Sequence, residues 1–190
     1  MTTPAGDPRI ARTRAAVLTA TLELVASEGF AGVTIDLISK RCGVARTTIY
    51  RHWPSLGALV FDAVANDASE APFEQTDDAW ADVERAVHTL AARLRGTEWG
   101  RILPALIDAA SRDPEIRELQ SQRSAERRGA LADLIERAKI EGTVAPATDT
   151  PLLVELLTAP LFTRHCISHL PVDAEFTDQV LTIARRVAAP

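Results

Sequence analysis

The chain is poor in the features that anchor many folds, and each shortage excludes something. Its 190 residues include two cysteines, Cys42 and Cys166, far apart and in no C-x-x-C pair, so neither a disulfide framework nor a zinc finger organises it. Both read as small buried hydrophobes. No apolar run approaches the roughly 20 residues of a membrane span, and no signal sequence opens the chain, so a cytoplasmic protein is expected. Strand signals are scarce, with few β-branched alternations and no Asn-Gly or Asp-Gly hairpin between them. Repeats and low-complexity tracts are missing. So are GxSxG, HExxH, GxGxxG and a phosphate loop. Asp77 and Asp78 read as acids of a helix's first turn, not a catalytic pair. No enzyme activity, cofactor or bound metal is expected.

What is present is an ordinary globular balance, 46% apolar and 25% charged, long enough for one ample core or two small ones. Charge is unevenly spread. The net charge is −5, yet residues 1–60 hold seven Lys/Arg against four acids, a local +3 that leaves −8 on the rest. Such asymmetry points to one end that faces a polyanion and a body with another task.

Helical periodicity runs through the chain and predicts an all-α fold of about nine helices. Asp7-Pro8 starts the first as N-cap and N1 proline, Val17, Leu18, Leu22 and Val25 form its inner stripe, and Gly29 ends it. Thr34 caps a short second helix with Asp36 in its first turn; Ile35, Ile38 and Cys42 face inward and Gly43 stops it. A third helix spans about 46–52, closed by Trp53-Pro54 because the residue before a proline leaves the helical region. Ser55 caps a fourth, with Leu59, Val60, Ala63 and Val64 inward, closing near Ala71-Pro72. Further helices are expected over about 77–95, 99–112, 114–141, 149–168 and 173–188. "GTVAPATDTP" (142–151) is the longest loop, and Pro104 and Pro160 should bend the helices that contain them.

The stretch "GVARTTIYRHWP" concentrates the chemistry. Two short helices joined by a tight glycine turn match a helix-turn-helix, whose second helix enters the major groove. Val44, Ile49 and part of Tyr50 anchor the second helix, leaving Arg46, Thr47, Thr48, Arg51 and His52 to point outward together. Arg can read guanine, Thr can touch a thymine methyl or a phosphate, and Tyr and His can donate to phosphate oxygens.

The segment 15–64, "AAVLTATLELVASEGFAGVTIDLISKRCGVARTTIYRHWPSLGALVFDAV", resembles the DNA-binding domain of the tetracycline-repressor (TetR) family of transcriptional regulators. The likeness rests on Gly29-Phe30, Thr34, Ile38, Gly43-Val44, Thr48-Ile49-Tyr50 and Trp53-Pro54-Ser55. It implies a homodimeric repressor with one helix-turn-helix per subunit (1–54, the fourth helix 55–71 as connector) and a helical ligand-binding and dimerisation domain (72–190). By position, the resemblance implies that Arg46, Thr47 and Thr48 face bases, that Thr34, Tyr50 and His52 meet phosphates, and that Arg12 and Arg14 approach a neighbouring phosphate. Two positions depart from the family's pattern. Leu56 stands where a phosphate-binding lysine is usual, and Ala45 replaces the usual hydroxyl cap of the recognition helix.

In the body, Leu103, Leu106, Ile107 and Ala110 form a stripe beside Pro104, and with Trp80, Trp99, Phe162 and His165 they are the candidate walls of a ligand pocket by family analogy. His165, Cys166 and His169 spell H-C-x-x-H but lack a further ligand in sequence, so interface or pocket polarity is the better reading. Arg123, Arg127 and Arg128 interleave with Glu118 and Glu126 as solvated pairs. The segment 156–173 is similar to the dimer-forming region of many family members, and Leu161, Leu170, Phe176, Val180, Ile183 and Val187 supply apolar surface for a four-helix seam. The expected function is a ligand-responsive repressor that binds a palindromic operator as a dimer and is released by a small-molecule effector. The rival is a ligand-binding or scaffold protein that keeps the helix-turn-helix without operator binding.

Overall fold

The computed structural model describes residues 8–67 and 74–190. Among them are nine α-helices, in order α1 (Pro8–Gly32), α2 (Ile35–Cys42), α3 (Arg46–His52), α4 (Leu56–Asp67), α5 (Ala79–Gly96), α6 (Glu98–Arg112), α7 (Pro114–Ile140), α8 (Thr150–Phe162) and α9 (Ala174–Val187), with a π-helical turn at Thr163–Ile167. No strand occurs among the described residues. The expected N-cap Asp7 and the expected closure at Ala71-Pro72 lie outside them.

The boundaries follow local chemistry. Thr34 accepts a hydrogen bond from the Leu37 backbone N–H at 3.2 Å and so caps α2. Asp78, Asp149 and Asp173 do the same for α5, α8 and α9. Each satisfies a donor that the helix leaves without an internal partner. Ala45 has no side-chain acceptor to offer α3. Gly43 ends α2 at φ 71°, ψ 13°, a left-handed conformation in which a Cβ would be strained, and its N–H donates to the Ser39 carbonyl. Within α1, Gly29 leaves helical geometry at φ 70°, ψ 167°, where the sequence places the end of the helix.

The chain divides into two compact units. One comprises Met1–Ser69 with Arg101–Gln120; the other comprises Glu70–Gly100 with Ser121–Pro190. Two of the three division points fall inside helices, in α6 and α7. The stretch 101–120, which sequence reading assigned to the body, therefore groups with the N-terminal helices. In that unit α1 packs on α2 and α4, and α2 on α3. Within Arg9–Gly32, α1 holds a stretch long and apolar enough for a membrane span, but Val17, Leu18, Leu22, Leu24 and Val25 are buried in the unit's own core. A second cluster joins Phe61 of α4 to Ala109, Ala110 and Ile116, with Phe30 and Leu119 against it.

In the other unit, α8 and α9 pack together and α5 packs on both. Pro104 and Pro160 lie inside α6 and α8. Neither can donate to the carbonyl four residues before it. For Pro104 that carbonyl is Gly100's, and His165 Nε2 lies 2.8 Å from it. Downstream of Pro160 the helix loosens into the π-helical turn. The chain leaves helical geometry after Ser168, and His169 adopts φ 51°. The two imidazoles of H-C-x-x-H are thus not on successive turns of one helix, and no group of three metal-ligating side chains occurs among the described residues.

Candidate nucleic-acid interface

A seven-residue helix is too short to be stable alone, so α3 depends on its anchors. Ile49 is the main one at 0% exposure, a burial that contributes about 1.5–3 kcal/mol. Ser39 Oγ donates to the Val44 carbonyl at 2.7 Å and holds the turn between α2 and α3. Trp53 closes α3, its backbone N–H donating to the Ile49 carbonyl at 2.9 Å and its side chain buried.

With Ile49 and Trp53 inward, Arg46, Thr47, Tyr50, Arg51 and His52 are exposed and Thr48 is half-buried. One face of α3 thus carries two guanidiniums, a hydroxyl, a phenol and an imidazole. The His52 ring lies 5.6 Å from that of Trp53. Arg46 pairs with Asp36 of α2 at 2.7 Å, a solvent-exposed pair of small energetic value. Thr34 is exposed at the cap of α2.

Arg12 and Arg14 are both exposed on α1. Arg14 Nη2 donates to both carboxylate oxygens of Asp62, each at 2.7 Å. Asp62 Oδ2 also accepts from the Trp53 indole N–H at 2.7 Å. A single carboxylate on α4 therefore ties the first helix to the end of the third. At the start of α4, Ser55 Oγ caps the Ala58 N–H at 3.1 Å and donates to Glu115 Oε1 at 2.5 Å. Leu56 at that end supplies no charge, as its side chain dictates.

The pocket candidates fall in both units. Leu103 and Leu106 are buried in the first, whereas Ile107 of the same helix is exposed, because its position in the helical period turns it outward. In the second unit Trp99 is buried, with Phe162 edge-on at 6.3 Å and the guanidiniums of Arg93 and Arg127 at 4.9 and 5.3 Å from its ring. Burial, together with the neighbouring charges of Arg93 and Arg123, lowers the pKa of Arg127 from its ordinary value. Arg127 is therefore no solvated surface partner, as the sequence suggested. Trp80 is buried under Arg185, and its indole donates to Glu84. His165 is engaged with the Gly100 carbonyl.

Of the seam candidates, Leu161 and Val180 are spent on the unit's own core. Phe176 is half-buried beneath the Arg164 guanidinium, 4.0 Å from its ring. Leu170, Ile183 (62% exposed) and Val187 (65%) remain in the open. Leu152 and Leu156 on α8, one turn apart, are exposed as well. With Pro160, Leu170 and Phe176 they line an open groove of about 590 Å³.

Residues 17–63 match the family described as bacterial regulatory proteins, tetR family, and residues 73–184 match the tetracyclin repressor-like C-terminal domain. The chain belongs to the TetR family. This TetR-family regulator is 29% identical over 187 residues to the HTH-type transcriptional regulator YdeS of Bacillus subtilis (strain 168), covering 97% of this chain and 94% of that one. It is 28% identical over 166 residues to the HTH-type transcriptional regulator AqdR of Rhodococcus erythropolis, covering 87% and 79%. Among solved structures, the TetR family transcription regulator SCO0332 aligns with a TM-score of 0.70 at 33% identity, over 94% of this chain and 100% of that one. The TetR-family regulator is thus a ligand-responsive, DNA-binding transcriptional regulator and not an enzyme. Regulators of its family bind DNA and small-molecule effectors and act as dimers.

Sequence reasoning missed three residues at this regulator's interface. Asp36 pairs with Arg46, Glu115 takes the Ser55 hydroxyl, and Asp62 gathers Arg14 and Trp53. Asp62 left a signal, as the first charge in the otherwise apolar run "LGALVFDAV". A charge there needs a partner.

Proposed function

We propose that this regulator is a repressor acting in the cytoplasm, where it binds a palindromic operator as a homodimer and is released by a small-molecule effector. One observation carries the DNA-binding reading: α3 is anchored by Ile49 and turns Arg46, Thr47, Tyr50, Arg51 and His52 outward together. Arg46, Thr47 and Thr48, in the first turn of α3, read base edges. Tyr50, Arg51, His52, Thr34, Arg12 and Arg14 hold phosphates, which position the protein without specifying sequence.

Dimer formation is supported by the apolar side chains left open on α8 and α9, Leu152, Leu156, Ile183 and Val187. Paired subunits place two recognition helices about 34 Å apart, or a multiple of that, on one face of the duplex. The effector site lies in the helical body, with Trp80, Trp99, Phe162 and His165 as its candidate walls. An effector shifts operator affinity only by as much as its own affinity differs between the two subunit arrangements.

Selection from a random duplex library at moderate salt tests the reading. Enrichment of an inverted repeat, bound by two subunits in size-exclusion with light scattering, is the expected outcome. Recovery of no common sequence would overturn it.

A further inference from the structure

We propose that Asp62 is a positioning residue for operator binding, one that presents Arg14 to a backbone phosphate while it fixes the end of the recognition helix. This rests on the operator-binding reading above. Asp62 stands on α4 with a quarter of its side chain exposed. Its carboxylate takes two partners from different helices: the Trp53 indole N–H at the close of α3, and Arg14 Nη2 from α1, each at 2.7 Å.

The division of the arginine's donors gives the arrangement its use. A guanidinium carries five N–H donors, and Asp62 engages Nη2 alone. The donors on Nε and Nη1 have no partner among the described residues, and half of the Arg14 side chain is exposed. The carboxylate thus removes the rotational freedom of a long side chain and leaves donors open for an anion. Its second bond acts on α3. Trp53 is buried, follows directly on the exposed His52, and is tied to α4 through its indole. Recognition helix, first helix and fourth helix therefore share one carboxylate as a common reference point.

The sign of the effect separates positioning from simple charge. A carboxylate beside a DNA-facing surface repels phosphate, so neutralising it without any positioning role would tighten binding. Loss of positioning weakens it. Asp62→Asn keeps an oxygen for one donor and removes the charge that aligns the other. With the inverted repeat recovered by selection as probe, D62N is expected to bind about tenfold more weakly, the scale of one lost charge-assisted contact. R14Q, a change at an exposed site that leaves folding intact, is expected to lose about as much and to reduce the slope of log K against log salt by about one counterion per subunit. R14Q/D62N should be no weaker than R14Q, because D62N keeps an oxygen for the Trp53 indole and changes binding only through Arg14.

Equal or tighter binding by D62N overturns the proposal, as do additive losses in the double variant. An unchanged salt slope in R14Q overturns it even if D62N fails to fold. A wild-type protein that selects no sequence sinks the operator-binding reading itself. Binding by the wild type with no loss in D62N sinks only the role of Asp62.

Discussion

His165 Nε2 lies 2.8 Å from the carbonyl oxygen of Gly100, the acceptor that Pro104 leaves without its helical donor. A side chain 65 residues away thus offsets the cost of a proline inside α6. Replacing it with Phe should leave a buried carbonyl unsatisfied and destabilise the protein by about 1–3 kcal/mol. His165→Gln, whose amide can donate, should recover part of that loss. Chemical denaturation of the three proteins at neutral pH measures it. Equal midpoints would show that the contact carries no weight.

Gly100 has a second constraint. A Cβ built there would lie 2.1 Å from the Leu94 carbonyl oxygen, so the turn between α5 and α6 closes only around glycine. Gly100→Ala should therefore cost about 1–3 kcal/mol or more through forced backbone displacement. The same change at Gly129, in the middle of α7 with nothing within 4 Å of an added Cβ, should stabilise by about 0.5–1 kcal/mol. Opposite shifts in thermal midpoint are expected from two identical substitutions.

The recognition helix invites a stabilising change. Ala45 stands at the N-cap of α3 with only its carbonyl as acceptor and no side-chain oxygen for the helix's first N–H groups. Ala45→Ser should add roughly 1 kcal/mol. A melt with no gain would show that the hydroxyl fails to reach its donor.

Acid should loosen the body through Asp82. Burial alone would raise its pKa, but the hydroxyl and backbone N–H of Thr76, the Arg137 guanidinium and the charge of Arg85 outweigh that and hold it below the ordinary carboxylate value. A folded-state pKa below the unfolded one stabilises the protein fully above about pH 4–5, and that stability is lost as pH falls through the folded value. Urea midpoints taken from about pH 6 downward should fall more steeply for wild type than for Asp82→Asn. The variant should already be weaker by about 1–3 kcal/mol at neutral pH, because Thr76 and Arg137 lose the buried carboxylate they share, although Glu141 still pairs with Arg137. Parallel pH profiles would assign the acid sensitivity elsewhere.

At the DNA face, Arg46→Ala should cost about 1–3 kcal/mol on the selected operator and relax preference at one base pair. Tyr50→Phe should weaken all sequences alike. Competition with single-base variants of the operator distinguishes the two patterns. A uniform loss in R46A would make Arg46 a phosphate anchor.

Much of this was legible in the chain because it is decided locally. Thr34, Gly43, Ser55, Asp149 and Asp173 cap or stop helices through contacts a few residues long, and the outward set on α3 follows from the placement of Ile49 alone. What escaped depends on partners distant in sequence. The alignment of Arg14 with Asp62 spans 48 residues, and nothing in the pattern around His165 says that it serves Pro104's helix. The helix expected over 149–168 gives way to a π-helical turn after Phe162. Periodicity does not register that change, since the apolar stripe runs on through it. Leu161 and Val180 looked like seam residues because apolarity by itself does not say which core a side chain joins.

The cluster around Phe61 has a practical consequence. Family boundaries would suggest that the N-terminal helices can be excised near residue 69 and studied alone. Such a fragment would lose Ala109, Ala110 and Ile116 and bring the apolar faces of Phe61 and Phe30 into water, an exposure of the kind that drives self-association. The minimal free-standing DNA reader of this chain is discontinuous, and the stretch 101–120 has to travel with it.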